Sequence, residues 1–332
     1  MFNCAFFYIL EQKSSMKIIS KMLESQYFAD RPPVLLDIGA SGEINAKWKQ
    51  IAAYCVCLAF DADDREFNVT EQTNSAYKKL IIFNRIVTAE PIELTDFYLT
   101  SSPYCSSLLE PEQEKLKPWV HSGLFSVVKK VQLRAITLME SLKQANVDYI
   151  DWFKTDSQGT DMRLMNSLSP ALQDGILAAE LEPGIMDAYK EEDKLHSVMS
   201  QMKEKGFWMS EMVVKGVQRL NSGYIAGMQS YIDRGIMRTS PGWAEVTYLR
   251  EMRKDLQPRE YLMLIVFALL EQQYGFALEV AEAARAVHPS VTLFGECINE
   301  IHSELEAEKR KRKAGLIYLK EKVNRAFARL NV

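Results

Sequence analysis

Tyr54–Phe60 is apolar at every position. Such a run suits a parallel strand buried on both faces, because crossover helices cover both sides of a parallel sheet. The surrounding sequence fits that reading. Val34–Ile38 is a second short apolar run, broken by Gly39-Ala40-Ser41-Gly42 and followed by a helical stretch, Asn45–Ala53. Leu80–Phe83 reads as a third strand. Strand, helix, strand, helix, strand is the opening of a doubly wound α/β sheet.

Further along, Ile92–Thr100 and Val127–Ile136 read as two strands around a loop, Ser101–Ser126. In the second strand Val131, Leu133 and Ala135 share one face, and Lys130, Gln132 and Arg134 the other. Thr137-Leu138-Met139-Glu140 is a capping box that opens a helix to about Ala145. Tyr149–Thr155 is a fourth core strand ending at Asp156-Ser157-Gln158-Gly159, and Gly175–Leu181 a fifth. Leu195, Val198, Met199 and Met202 fall at helical spacing, and Gly206 sits where a glycine ends a helix. Phe207–Met212 and Ala244–Leu249 complete the sheet. Beyond Arg250 the chain turns helical: one helix from Pro258, apolar over Tyr261–Leu270, a second over Phe276–Val287, and a last one striped by Leu319, Val323, Phe327 and Leu330. Three regions result: a helical leader (1–30), an α/β domain (31–250) and a helical C-terminal extension (251–332). The apolar surfaces of the extension exceed what a soluble monomer leaves exposed. They are expected to pack on the core or to join two copies of the chain as a homo-oligomer.

Composition excludes several classes. The 332 residues carry a net charge of -4, which argues against a general nucleic-acid coat. The one dense basic run, Lys309–Lys313, follows the acidic stretch Glu304–Glu308 and reads as a solvated helix face. No window reaches the ~18 apolar residues of a transmembrane helix. Phe2–Leu10 is apolar but lacks the flanks of a signal peptide. The five cysteines are odd in number and lack metal-knuckle spacing; buried free thiols in the cytoplasm are the expectation.

The chemistry-bearing feature is Asp37-Ile38-Gly39-Ala40-Ser41-Gly42 after the first strand. Glycines there let the backbone turn sharply and approach a ligand. Asp61 directly follows the second apolar strand, 24 residues beyond Asp37, where a carboxylate can accept both ribose hydroxyls. The order points to a nucleoside cofactor. The loop lacks a full G-x-G-x-x-G pattern and the P-loop's Gly-Lys-Ser/Thr, so it has no pyrophosphate cradle. That favours S-adenosylmethionine over NAD.

Four segments, in order, resemble the FkbM family of methyltransferases: Leu35–Gly42, Ala59–Asp63, Tyr98–Pro111 with its Ser-Ser-Leu-Leu-Glu-Pro, and Asp151–Asp161 with Lys-Thr-Asp-Ser-Gln-Gly-Thr-Asp. The resemblance spans roughly residues 33–250. It implies a Rossmann-like doubly wound methyltransferase sheet, S-adenosyl-L-methionine, and transfer to a hydroxyl on a carbohydrate or small natural product. It places cofactor contacts at Asp37, Gly39, Ala40, Ser41, Gly42, Asp61 and Ala62, and sets Asp156 facing the methyl group. Asp156, Gln158 and Glu180 are the candidate catalytic residues. Four positions depart from the family pattern: Glu43 for Gly, Asp61 for Glu, Thr155 for Ile or Val, and Asp161 for Glu.

Other polar residues have plainer readings. Glu180 and Glu182 share one face at the end of the fifth strand, where they line an acceptor pocket, hold a cation or only cap the strand. His121 and His196 lack partners at ligand spacing. Ser106-Ser107 lacks a nucleophile elbow. Trp152-Phe153 reads as sheet packing. The acceptor-binding loops are expected at Ser101–Ser126 and Asn221–Pro241. Two rival functions share these residues: a catalytically inert scaffold of the same fold, and an NAD-dependent oxidoreductase using the same glycine loop and Asp61.

Overall fold

The computed structural model describes residues 17–39, 45–60 and 76–330, with side chains to residue 313. The expected cofactor residues Ala40, Ser41, Gly42, Asp61 and Ala62 lie outside the described residues, as do Glu43 and the side chains of the Leu319–Leu330 stripe. The chain divides into two compact units, Phe28–Lys254 and a second made of Met1–Tyr27 with Asp255–Val332.

The larger unit is mixed α/β and built on a seven-stranded, mostly parallel sheet compatible with a Rossmann-like arrangement. Its strands are β1 (Val34–Ile38), β2 (Val56–Phe60), β3 (Lys79–Phe83), β7 (Trp152–Thr155), β8 (Ala178–Leu181), β9 (Phe207–Val217) and β10 (Ser240–Arg250), in the order β3-β2-β1-β7-β8-β10-β9. β10 runs antiparallel between β8 and β9, and the other pairings are parallel. The order reverses between β1 and β7, which opens a crevice at their C-terminal ends. Between β3 and β7 the chain adds a small sheet of β4 (Ile86–Thr88), β6 (Val127–Thr137) and β5 (Leu94–Thr100).

The apolar runs are explained by burial on both faces. Val34, Leu36, Ile38, Leu58, Phe60, Phe153 and Leu181 join the main core on one face. Leu35, Cys57, Trp152 and Ala178, which alternate with them, are equally buried on the other. Trp152 and Phe153 are both sheet packing, and Trp152 meets Trp48 edge-on at 5.9 Å.

Several boundaries differ from the sequence expectation. Asn45–Ala53 is not an α-helix but two 3-10 turns, Ala46–Gln50 and Ala52–Tyr54. β9 runs five residues beyond Met212, paired along β10 through exposed Val213 and Val214. Gly216 permits that pairing, since a Cβ there would sit 2.5 Å from the Ser240 carbonyl oxygen. The Asn221–Pro241 loop contains a helix, Ser222–Asp233, that buries none of its residues and so carries no amphipathic signal. β4 is too short to read.

In the helical unit, Pro258–Leu270 buries nearly its whole length, with the Glu260 carboxylate accepting the Gln257 N–H at 3.1 Å. Tyr274–Val287 packs on it with Ala277, Ala281 and Ala284 fully buried. Thr292–Leu330 follows, burying Phe294, Cys297 and Ile301, and its Glu296 pairs with Lys21 near the start of the chain. The basic run is a solvated face: Lys309, Lys311 and Arg312 pair with Glu306 or Glu308 one turn back.

Candidate functional site

Strand register decides which side chains meet. Residues side by side on adjacent strands point to the same face. One row across five strands reads Asp37, Lys154, Glu180, Thr247, Glu211. A polar row inside a largely buried sheet is the opposite of what a parallel sheet needs for stability, and it marks a candidate site. Two residues further toward the edge come Gly39 beyond β1, Asp156 beyond β7, Glu182 beyond β8 and Glu245 on β10.

Within the inner row, Lys154 Nζ lies 2.8 Å from Asp37 Oδ1, a contact of charge more than of hydrogen-bond direction. Burial works to lower the Lys154 pKa, but the carboxylates of Asp37, Asp156 and Glu180 outweigh it and hold the ammonium charged. Asp37 Oδ2 also accepts the Asn45 N–H at 3.2 Å. Lys47 lies across the row. Its ammonium is 3.2 Å from Thr247 Oγ1, 3.3 Å from Glu211 and 3.6 Å from Glu180. Glu180 further accepts from Asn45 Nδ2 at 3.1 Å.

The outer row is rich in carboxylates. Burial, followed by the charge of Asp156, pushes Glu182 up to about 9. Asp156 is raised as well, burial again leading, with Lys154 and the Gln158 hydrogen bond pulling the other way. Glu245 is paired with Lys215 at 3.0 Å.

The segments singled out in the sequence meet here. Gly39 has φ +77°, and a Cβ on it would stand 2.3 Å from the Asp156 carbonyl oxygen. The first glycine is therefore required by the fourth segment. Asp156 N–H donates to the Ile38 carbonyl at 2.9 Å, which continues the ladder one residue past the end of β7. The third segment closes on the fourth. Ser107 Oγ donates to the Gln158 carbonyl at 2.8 Å and accepts the Leu109 N–H at 3.0 Å. Gly159, at φ +110°, leaves space for Leu109 Cδ1 and Glu192 Cβ, which an added Cβ would meet at 3.0 and 2.9 Å.

Gln158 has φ +55°, and its side-chain amide donates to Asp156 Oδ1. Asp161 is buried under the same turn. It accepts from Thr155 Oγ1 (3.2 Å), Ser157 N–H (3.2 Å), Ser157 Oγ and Glu182 N–H (2.8 Å). Despite these bonds, burial pushes it up to about 6.

No protein-family model and no curated protein matches this chain. Its site must be argued from its own residues. Asp156, Gln158 and Gly39 are brought together at the crevice, and Asp37 and Glu180 lie one row below it. His121 and His196 are both exposed and belong to no cluster. Among the described residues no group of three His, Cys, Asp or Glu has metal-holding geometry. The sequence marked no role for Lys47, and Lys154 stood out only as part of the fourth segment. No described helix is long and apolar enough to cross a membrane.

Proposed function

We propose that the chain is an S-adenosylmethionine-dependent O-methyltransferase acting on a hydroxyl of a carbohydrate or small natural product. The observation that carries this reading is the convergence of three sequence-distant segments on the crevice between β1 and β7. Gly39 abuts Asp156, Ser107 holds Gln158, and Leu109 fills the space beside Gly159. All three belong to the segments that resemble the FkbM family, and the resemblance did not require them to touch.

When bound, S-adenosylmethionine would supply a methyl group activated by a positive sulfonium, and this edge is lined by the carboxyl groups of Asp156 and Glu182, whose burial raises both toward the neutral form. The cofactor's ribose falls to Asp61 on the family resemblance. The antiparallel β10 separates this sheet from the all-parallel order of dinucleotide-binding domains, which argues against the NAD-dependent rival.

Within the chain, Asp156 is the residue placed to take a proton. Its Oδ1 is engaged by Gln158, and among the described residues Oδ2 has no hydrogen bond. A carboxylate with raised proton affinity is a better base toward a hydroxyl. Glu180 is held by Asn45 and Lys47, so its carboxylate is engaged in anchoring the start of the 3-10 turn Ala46–Gln50.

The test is calorimetric titration with S-adenosylhomocysteine and with NAD, followed by turnover of labelled cofactor against panels of glycans and hydroxylated small molecules. Homocysteine-form binding without NAD binding is expected. For a true acceptor, Asp156→Asn should keep cofactor affinity and lose about 10²–10⁴ in rate. Absence of binding by the homocysteine form would overturn the reading.

A further inference from the structure

We infer that Tyr189 is the positioning residue for Asp156: its hydroxyl holds the Gln158 amide with the N–H side on Asp156 Oδ1, leaving Oδ2 for chemistry. An amide has a donor end and an acceptor end, and an ionised carboxylate only accepts. The Gln158 NH2 therefore faces Asp156, and Gln158 Oε1 needs a donor. The Tyr189 hydroxyl lies 3.0 Å from that oxygen and 2.9 Å from the Cys105 carbonyl, so its one proton is shared between these two acceptors.

Both ends of this chain of groups are fixed. Tyr189 is buried, its ring meets Phe125 edge-on at 5.6 Å, and it bridges to Pro111 of the third segment. Neighbouring Ala188 accepts the Glu112 N–H at 2.9 Å. Gln158 is fixed by its left-handed backbone and by the Ser107 bond to its carbonyl. Ring burial alone explains a Phe at 189. Ring burial and the Cys105 carbonyl do not explain why the hydroxyl also reaches the amide that touches Asp156. The same wiring accounts for Tyr98–Pro111: that segment seats Tyr189 on one side and holds Gln158 on the other.

The inference rests on the methyltransferase reading only for what Oδ2 does. The positioning itself can be read without cofactor, by carbon-13 NMR titration of the Asp156 carboxyl, assigned through its loss in Asp156→Asn. Lys154, Asp37, Glu182, Glu245, Asp161, Cys105 and Tyr189 all face this group and set its baseline. Tyr189→Phe frees the amide, so the Asp156 midpoint should rise by about one pH unit, the scale of one hydrogen bond to a charged group. Gln158→Asn tolerates the left-handed backbone but is too short to reach either partner, and it should give the same rise. The double variant should add nothing further. In the unmutated protein the Tyr189 Cζ signal should titrate with the Asp156 midpoint, a readout that needs no variant to fold. An unmoved midpoint in folded Tyr189→Phe, additive shifts in the double variant, or a flat Cζ signal would each overturn the proposal. Shifts as expected in a protein that binds no S-adenosylhomocysteine would keep the positioning role and reject the methyltransferase reading.

Discussion

Thr155 and Asp161 both depart from the family pattern in the sequence, and the structure shows them as partners. Asp161 is one methylene shorter than Glu, and the Thr155 hydroxyl meets it at 3.2 Å where Ile or Val would offer no donor. Asp161→Asn places an amide N–H2 among four donors, and a loss of about 1–3 kcal/mol is expected in urea unfolding. Thr155→Val, which removes one bond and keeps the shape, should cost about 1 kcal/mol by the same measurement. Gly39→Ala joins a left-handed backbone to a direct overlap with the Asp156 carbonyl, and should cost about 2 kcal/mol or more. Residues such as Gly39 and Asp156 were legible because their chemistry is local: a turn and a strand end. Tyr189 was not. Its meaning lies in a hydrogen bond to Gln158, 31 residues away, and nothing in its own neighbourhood marks it.

Among elements, legibility followed burial. β1 and β2 stand out because both their faces are covered, so apart from Asp37 no polar position interrupts them. β9 and β10 were read short because their far ends are half exposed and paired mainly with each other. The helix Ser222–Asp233 buries nothing and left no period to find. Leu138–Ala145, by contrast, was written out in full. Its Thr137 hydroxyl accepts the Glu140 N–H at 3.2 Å, and Asn146 closes it at φ +55°. Thr137→Ala should therefore cost about 1 kcal/mol, checked by thermal unfolding, while Thr137→Ser should be nearly neutral.

For the whole molecule, Asp161 and Glu182 make stability depend on pH in a defined direction. A carboxyl whose folded pKa lies above its unfolded value favours the native state fully below the unfolded pKa, and that advantage is lost as pH climbs through the folded one. Asp161, raised to about 6, weakens the fold as pH rises from about 4 to 6, and Glu182, raised to about 9, does so up to about 9. The melting temperature should fall between pH 5 and 9, and Glu182→Gln should flatten the upper part of that fall. A Glu182→Gln curve parallel to the unmutated one would contradict the assignment. The unit made from both ends of the chain has a consequence of another kind. Ile18, Ile19, Met22 and Leu23 are buried in a unit whose other helices begin after residue 255. During synthesis the whole sheet-bearing unit leaves the ribosome before those helices do. At about 5–20 residues per second, that apolar stretch waits on the order of ten to forty-five seconds for its partners. For that interval residues 18–23 lack the helices they pack with, and the nascent chain offers a hydrophobic handle to any chaperone at the tunnel exit.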